Sequence, residues 1–234
     1  MRQPLILNYY SLLPEHSETI PPALWAESLR KALNKYQLSV FARYNESTLE
    51  RLLHAGVVDV RKAAVLALGL GGSIQQVNLA LASRLHDEDD EVSEMAADAL
   101  WSLWFRADTP ENNRELQRLI RLDVTPETGD EILADFGALI KQAPRFAEAY
   151  NQRAVVHYRL EEFGRSVLDC EKTMRLNPVH FGAASGMAQS FFQQRKLRAA
   201  LRCYRRANRI NPRLDGVPEL ITTIEKSLGE EGKR

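Results

Sequence analysis

The chain has 234 residues, of which 44% are hydrophobic and 26% are charged, so it can bury the core of one or two ordinary domains. Its 31 Lys and Arg balance 31 Asp and Glu, so the overall charge gives no reason to expect a nucleic-acid or membrane partner. The fold class therefore has to come from the pattern of residues along the chain.

The first segment, MRQPLILNYYSLLPEHSE, is interpreted as part of the mature protein. It has one Arg and a short apolar patch ended by Pro14, without the long apolar region and small-residue cleavage site of a signal peptide. Residues 63–83 carry no charge over nearly the length that spans a bilayer. Because Gly71 and Gly72 interrupt this stretch, it predicts two helices joined by a turn, with no membrane span.

A period of 32 residues runs through residues 47–104 and predicts two helical hairpins. Ser47 and Glu50 are predicted to cap the first helix as a capping box. The run DVRKAAVLALG at 59–69 resembles the HEAT-repeat pattern, which implies that Arg61 bridges neighbouring repeats. Ser93 occupies the equivalent place in the second unit, where no such bridge is expected. The equivalent apolar pairs are Leu49 and Leu81, Leu53 and Leu85, Val60 and Val92, Ala64 and Ala96, and Leu68 and Leu100.

From about residue 113 the period becomes 34 residues. Small side chains in several of the repeated pairs let two antiparallel helices approach, and bulky residues between them fill the remaining space. Pro178 and Pro212 end the second helix of each pair. The pattern resembles the tetratricopeptide repeat (TPR), and residues 147–212 cover two complete repeats. The repeated pairs are Tyr150 and Ala184, Ala154 and Ala188, Tyr158 and Phe192, Phe163 and Leu197, Ser166 and Ala200, Cys170 and Tyr204, Thr173 and Ala207, and Pro178 and Pro212.

The two periods predict an all-α fold, a right-handed α-solenoid of antiparallel helical hairpins with a HEAT-like N-terminal part and a TPR C-terminal part. The combination resembles bacterial proteins that join both repeat types. The predicted parts are a helical cap at 1–46, two HEAT-like repeats at 47–109 and a TPR domain at 110–234. Within the TPR domain we predict a degenerate repeat at 113–144, repeats at 147–180 and 181–214, and a capping helix at 215–229.

Local signals mark several helix starts. Thr109 is predicted as the N-cap before Pro110 at the first helical position, Thr128 opens a capping box, and Asp215 caps the last helix. In the N-terminal cap a helix begins at Pro21-Pro22, and a second segment lies around residues 38–44. The apolar residues predicted for the first of these helices are Leu24, Trp25, Leu29 and Leu33.

The sequence predicts no catalytic site, metal or cofactor. Gly71-Gly72 follows a helix and lacks the Lys-Ser/Thr ending of a phosphate-binding loop. The histidines and the two cysteines show no metal-ligand spacing, and Cys170 and Cys203 fall inside helical patterns typical of reduced thiols in a cytoplasmic protein. The acidic run at 87–91 is interpreted as a solvated turn that caps the next helix. We therefore predict that the chain is not an enzyme.

The TPR resemblance implies a binding surface, because the first helix of each TPR lines the concave face on which partners bind. Tyr158 and Phe192 border this face and are interpreted as packing residues. The TPR type that holds chaperone C-termini uses a Lys and two Asn, and Val155 and Gly186 replace the two Asn here, so that ligand is not expected. The partner-binding residues that the 34-residue frame predicts are Glu148, Asn151, Val155, Arg159, Ser185, Gln189 and Gln193.

A second candidate surface is basic. Residues 195–213 contain eight Lys and Arg and no acidic residue. Such a run is either a solvated helix face or a surface for an acidic protein, an anionic lipid or nucleic acid. The basic patch consists of Arg195, Lys196, Arg198, Arg202, Arg205, Arg206 and Arg209.

The favoured function is a non-catalytic protein–protein interaction scaffold that binds a protein or peptide on the concave face. Nucleic-acid binding through residues 195–213 is possible but not favoured. A third hypothesis follows from HEAT-repeat chromophore lyases and requires a buried acid such as Glu94 or Asp98. The opposite charges at 87–91 and 195–213 also allow weak head-to-tail self-association of an otherwise monomeric chain.

Overall fold

The structure is a computed structural model that describes residues 4–15 and 20–231, and all regular secondary structure within these ranges is helical. The chain divides into two compact units, unit 1 (Met1–Leu103) and unit 2 (Trp104–Arg234). The prediction of an all-α fold built from helical hairpins is therefore confirmed. Residues 1–3 and 16–19 of the predicted N-terminal cap lie outside the described residues.

Unit 1 begins with two helices ahead of the predicted repeats. The second of them starts at Pro22 as predicted, but it continues to Phe41 and includes part of the second predicted segment. Its buried residues are Tyr36 and Val40, whereas Leu24 is exposed, so the predicted apolar stripe was wrong. The helices of unit 1 are α1 (Leu5–Tyr10), α2 (Pro22–Phe41), α3 (Glu46–Leu52), α4 (Val58–Gly71), α5 (Ile74–Ser83) and α6 (Asp90–Phe105), with a 3₁₀ turn (Arg84–His86) before α6.

The helix starts of unit 1 follow the 32-residue spacing, since α4 begins at Val58 and α6 at Asp90. The predicted capping box of α3 was wrong, because the helix begins earlier and Asn45 accepts a hydrogen bond from the Thr48 N–H at 2.9 Å. Gly69 permits close packing of α4 on α6, as a Cβ there would lie 2.7 Å from the Ala99 Cβ.

The uncharged stretch at 63–83 forms parts of two helices. Helix α4 ends at Gly71 and α5 begins at Ile74, so the predicted turn between them is present. Among the residues that the structure describes, no helix is both long and apolar enough to cross a membrane.

Unit 2 consists of successive helix pairs. The bounds of α9 and α10 recur 34 residues later in α11 and α12. The turns within the two pairs also match, because Glu161 and Arg195 both have a positive φ, at 61° and 59°. Its helices are α7 (Pro110–Leu119), α8 (Gly129–Gln142), α9 (Ala147–Arg159), α10 (Phe163–Leu176), α11 (Phe181–Gln193), α12 (Leu197–Ile210) and α13 (Val217–Glu231).

The helix starts of unit 2 agree with the sequence signals in one case of three. The Thr109 hydroxyl accepts from the Asn112 N–H at 3.3 Å, so it caps α7 as predicted. The Thr128 hydroxyl donates instead to the Asp123 carbonyl at 2.7 Å and leaves α8 without that cap. Helix α13 begins at Val217 after Gly216, whose φ is 71°, so Asp215 lies one residue too early to cap it.

Candidate interaction surface

Arg61 and Asp87 form a buried ion pair in unit 1. The Arg61 Nε and Nη2 atoms donate to the two Asp87 carboxylate oxygens at 3.0 and 2.8 Å, and the two side chains are 5% and 2% exposed. Burial alone would raise the pKa of Asp87, but hydrogen bonds from Arg61 and the Asp89 N–H, and the charges of Arg61 and Arg84, lower it below its ordinary value. The bridge implied for Arg61 is therefore present in unit 1.

The acidic run at 87–91 is only partly a solvated turn. Asp89 accepts a hydrogen bond from the Val92 N–H at 3.0 Å and so satisfies one of the first free donors of α6. Glu91 forms an ion pair with Lys62. Asp87, in contrast, is buried, which corrects the interpretation of the whole run as solvated. The Ser93 hydroxyl donates to the Leu85 carbonyl at 2.8 Å, in the place where no second Arg bridge was expected.

Two predicted partner-binding residues of unit 2, Glu148 and Asn151, are buried, with 1% and 5% of their surface exposed. The Glu148 carboxylate accepts hydrogen bonds from Asn151 at 2.9 Å, from Gln152 at 2.7 Å and from His180 Nε2 at 2.8 Å. The structure thus removes Glu148 and Asn151 from the exposed face, because neighbouring side chains already satisfy their polar atoms.

His180 connects this carboxylate to the start of α11. Its Nδ1 accepts from the Ala183 N–H at 3.0 Å, so the ring proton sits on Nε2 and points at Glu148. The Trp104 ring stacks on the imidazole with 4.1 Å between centroids, and the Phe181 ring lies 5.1 Å from that of Trp104. This cluster fixes the start of α11 against α9.

A charged cluster holds α9 against α10. Arg153 donates two hydrogen bonds of 2.7 Å to the Asp169 carboxylate. His157 Nδ1 lies 2.6 Å from a Glu162 oxygen, and its Nε2 lies 3.8 Å from Asp169. The hydrogen bond from His157 and the nearby Arg165 charge lower the pKa of Glu162 despite its partial burial. Two sides of α9 are therefore fixed by polar contacts.

The remaining sides of α9 and α11 form one exposed surface. Gln193 Nε2 donates to the Tyr158 hydroxyl at 3.1 Å and so joins the two helices at this surface. Val155 and Phe192 are 40% and 39% exposed, and Ser185 is half-buried. We call this surface the α9–α11 face and define it by Val155, Tyr158, Arg159, Ser185, Gln189, Phe192 and Gln193.

The two aromatic residues of the α9–α11 face differ in their environments. Tyr158 is half-buried and packs edge-on against Phe163 with ring centroids 5.4 Å apart, as a packing residue should. Phe192 is exposed, so its interpretation as a packing residue was wrong.

The basic patch lies on α12 and the turn before it, and all seven of its residues are exposed. Arg205 donates to Glu225 of α13 at 2.7 Å. The aromatic residue of α12, Tyr204, is buried and offers no ring on which a base could stack. The patch is thus a row of guanidinium groups without the aromatic residues typical of single-stranded nucleic-acid sites.

The structure also bears on the chemistry that the sequence left open. Among the described residues, no group of three or more His, Cys, Asp or Glu is placed to hold a metal ion. Cys170 is buried, which raises the pKa of its thiol to about 12, and Cys203 is half-buried. Glu94 and Asp98 are both exposed, so neither is the buried acid that the lyase hypothesis requires.

Sequence reasoning missed the role of His180. A residue that directly precedes a helix often accepts a hydrogen bond from a backbone N–H of the first turn, but the favoured residues are Ser, Thr, Asp and Asn. His180 makes this contact through Nδ1 and thereby directs Nε2 to Glu148. The position before α11 was the available signal.

Comparisons with known proteins link the chain to TPR proteins over about a third of its length. No family model matches. A TPR repeat-containing protein of Rhizobium etli is 28% identical over 85 residues, which are 36% of this chain and 42% of that protein. Mouse sperm-associated antigen 1 is 29% identical over 82 residues, which are 35% of this chain and 9% of that protein. The matches thus span less than half the length of either relative.

Two solved structures share part of the helical arrangement. The first TPR of Spaghetti, bound to an HSP90 peptide, has a TM-score of 0.43 and 20% identity, and the match covers 51% of this chain and 88% of that one. The TPR2AB domain of yeast Sti1 in complex with HSP90 has a TM-score of 0.37 and 13% identity, with 94% and 95% covered. Both scores are low, so the evidence for repeats in unit 2 remains its 34-residue helix bounds and the sequence relatives.

Proposed function

We propose that this chain is a non-catalytic protein–protein interaction scaffold whose unit 2 binds an extended segment of a partner protein on the α9–α11 face. The observation that carries the proposal is the hydrogen bond from Gln193 to Tyr158, which joins α9 and α11 into one surface while Val155 and Phe192 stay exposed. Exposed apolar side chains rimmed by polar ones are characteristic of interaction sites.

The chemistry of the face suits a peptide in an extended conformation. Gln189 and Gln193 carry amides that both donate and accept hydrogen bonds, as the peptide backbone requires. Val155 and Phe192 provide apolar contact for side chains of the partner, and Arg159 provides a guanidinium for a carboxylate. The preferred segment therefore combines apolar residues with an acidic one.

The relative from Rhizobium etli supports this function by its name, since it is a TPR repeat-containing protein. The ligand differs from a chaperone C-terminus, because Val155 and Gly186 stand where that TPR type has Asn. Cys170 and Cys203 lie within helices and suit a reducing compartment, so the partner is a cytoplasmic protein.

The test is a selection of 12-residue peptides from a random phage library on the intact chain, followed by calorimetric titration of the selected peptides. The variant Val155→Asp with Phe192→Ser removes both apolar contacts of the face. We expect its affinity for the selected peptides to fall at least about tenfold, because interface energy concentrates in a few central apolar residues.

A matched control changes two other exposed apolar residues. Leu168 on α10 and Leu79 on α5 are more exposed than Val155 and Phe192, and Leu168→Ser with Leu79→Ser leaves the face intact. This control is expected to bind within about twofold of the unaltered chain. Equal affinity of the face variant and the control variant would place the binding site elsewhere and refute the proposal.

A further inference from the structure

Helix α6 carries a row of carboxylates. Asp90, Glu94 and Asp98 lie four residues apart and are all exposed. Residues 85–105 contain seven Asp and Glu and no Lys or Arg, so no cation of the same segment neutralises the row. Within the described residues, Glu94 and Asp98 take part in no ion pair. We call these three residues the acidic row.

Helix α12 carries a row of the opposite charge with the same spacing. Arg198, Arg202 and Arg206 also lie four residues apart and are exposed. Arg205 already has a carboxylate partner in Glu225, whereas the three residues of this row form no ion pair within the part of the chain that the structure describes. We call them the basic row.

The two rows match in length and direction. Eight residues of α-helix rise about 12 Å, so each row places three charges about 6 Å apart. Residues four apart on an α-helix form a ridge that is inclined to the helix axis by a fixed angle, and two such ridges pack against each other in the commonest helix–helix geometry. Helices α6 and α12 of different molecules can therefore face each other with three opposite charges aligned.

We propose that the chain associates head to tail, with the acidic row of one copy against the basic row of another. Carboxylates suit this surface, because guanidinium groups bind them with two parallel hydrogen bonds. A broad polyanion such as duplex DNA or a lipid surface fits less well, because the exposed Glu219 and Glu225 of α13 lie on the helix next to α12.

The association is weak and sensitive to salt. All six charges are exposed, and exposed ion pairs are individually weak and are screened at moderate ionic strength. The two contacting surfaces are unlike, so each added copy leaves one acidic and one basic row free at the ends. Longer assemblies therefore form as the protein concentration rises.

Sedimentation velocity of the intact chain tests the proposal. The weight-average sedimentation coefficient is expected to rise with concentration from about 10 to about 500 µM at about 20 mM NaCl and to stay constant at about 500 mM NaCl. An acid-reversed variant, Glu94→Lys with Asp98→Lys, and a base-reversed variant, Arg202→Glu with Arg206→Glu, are each expected to associate at least tenfold more weakly at the low salt concentration.

The decisive sample is an equimolar mixture of the two variants. The lysines of one variant then face the glutamates introduced in the other, so the mixture associates although neither variant does alone. Pairing within a single chain would not raise the mass. The control Arg121→Glu with Arg145→Glu makes the same charge change at exposed positions outside α12 and leaves association within about twofold. A monomer at low salt, association that survives high salt, or a mixture that stays monomeric would each overturn the proposal.

Discussion

Both units bury a carboxylate where one helix pair meets the next, but they satisfy it differently. In unit 1 the Asp87 carboxylate is matched by the charge of Arg61. In unit 2 the Glu148 carboxylate is surrounded by three donors from two amides and an imidazole. The first arrangement neutralises a charge, whereas the second hydrates it with protein groups in place of water.

The difference determines what each link requires of the sequence. An ion pair needs two residues of opposite charge, and Arg61 is recognisable in the segment DVRKAAVLALG. Three separate donors leave no charge pattern, and each of Asn151, Gln152 and His180 is unremarkable by itself. Equivalent structural roles therefore differ in how visible they are before the structure is known.

The largest expected effect comes from breaking the ion pair in unit 1. Asp87→Ala leaves the Arg61 guanidinium buried without its carboxylate, and the loss of one partner of a buried ion pair costs about 3–5 kcal/mol of unfolding free energy. Urea unfolding followed by circular dichroism measures the change.

The control for that variant is Glu88→Ala, since the neighbouring Glu88 side chain is 88% exposed. This change is expected to alter the unfolding free energy by less than about 0.5 kcal/mol. If Asp87→Ala were as mild as Glu88→Ala, the buried pair would not be the link that holds unit 1.

A somewhat smaller effect is expected in unit 2. Glu148→Ala removes the acceptor of three hydrogen bonds and leaves the buried His180 Nε2–H without it, which costs about 2–3 kcal/mol. His180→Ala should cost a similar amount, and the double variant should cost clearly less than the sum of the two, because both changes remove the same hydrogen bond. Additive losses in the same urea experiment would show that the two residues act independently.

The sequence predicts the helix bounds of unit 2 well and the helix caps poorly. Periodic small and bulky side chains encode which helices can pack, and packing repeats with the sequence, so α9 to α12 recur at the predicted spacing of 34 residues. A cap depends on the residue at which the backbone leaves the helix. At α3 that residue is Asn45 rather than Ser47, because the helix starts earlier than its apolar pattern.

The candidate surface shows the same limit. The 34-residue frame assigns positions on a helix, but it does not indicate what fills the space beside them. Glu148 and Asn151 occupy frame positions of a binding face, yet His180 covers Glu148 from the segment before α11. Phe192 has the residue type of a core position and is exposed. Burial is a property of neighbours distant in sequence, which a periodic pattern does not specify.

The smallest expected effect concerns pH and distinguishes the charged link from the neutral one. The pKa of Asp87 is lower in the folded chain than its ordinary value, so its contribution to stability is fully present above the unfolded-state pKa. As the pH falls through the folded-state pKa, the carboxyl group takes up a proton and the contribution is lost, at about 1.4 kcal/mol for each unit of pKa difference. Asp87→Asn has no such titration. The difference in unfolding free energy between the unaltered chain and Asp87→Asn should therefore stay constant from pH 7 to about pH 5 and narrow below about pH 4. Other acids such as Glu162 titrate in both proteins and cancel in this difference. A difference that remains constant down to pH 3 would mean that Asp87 does not stabilise unit 1 through its charge, and the contrast between the two units would then be one of geometry alone.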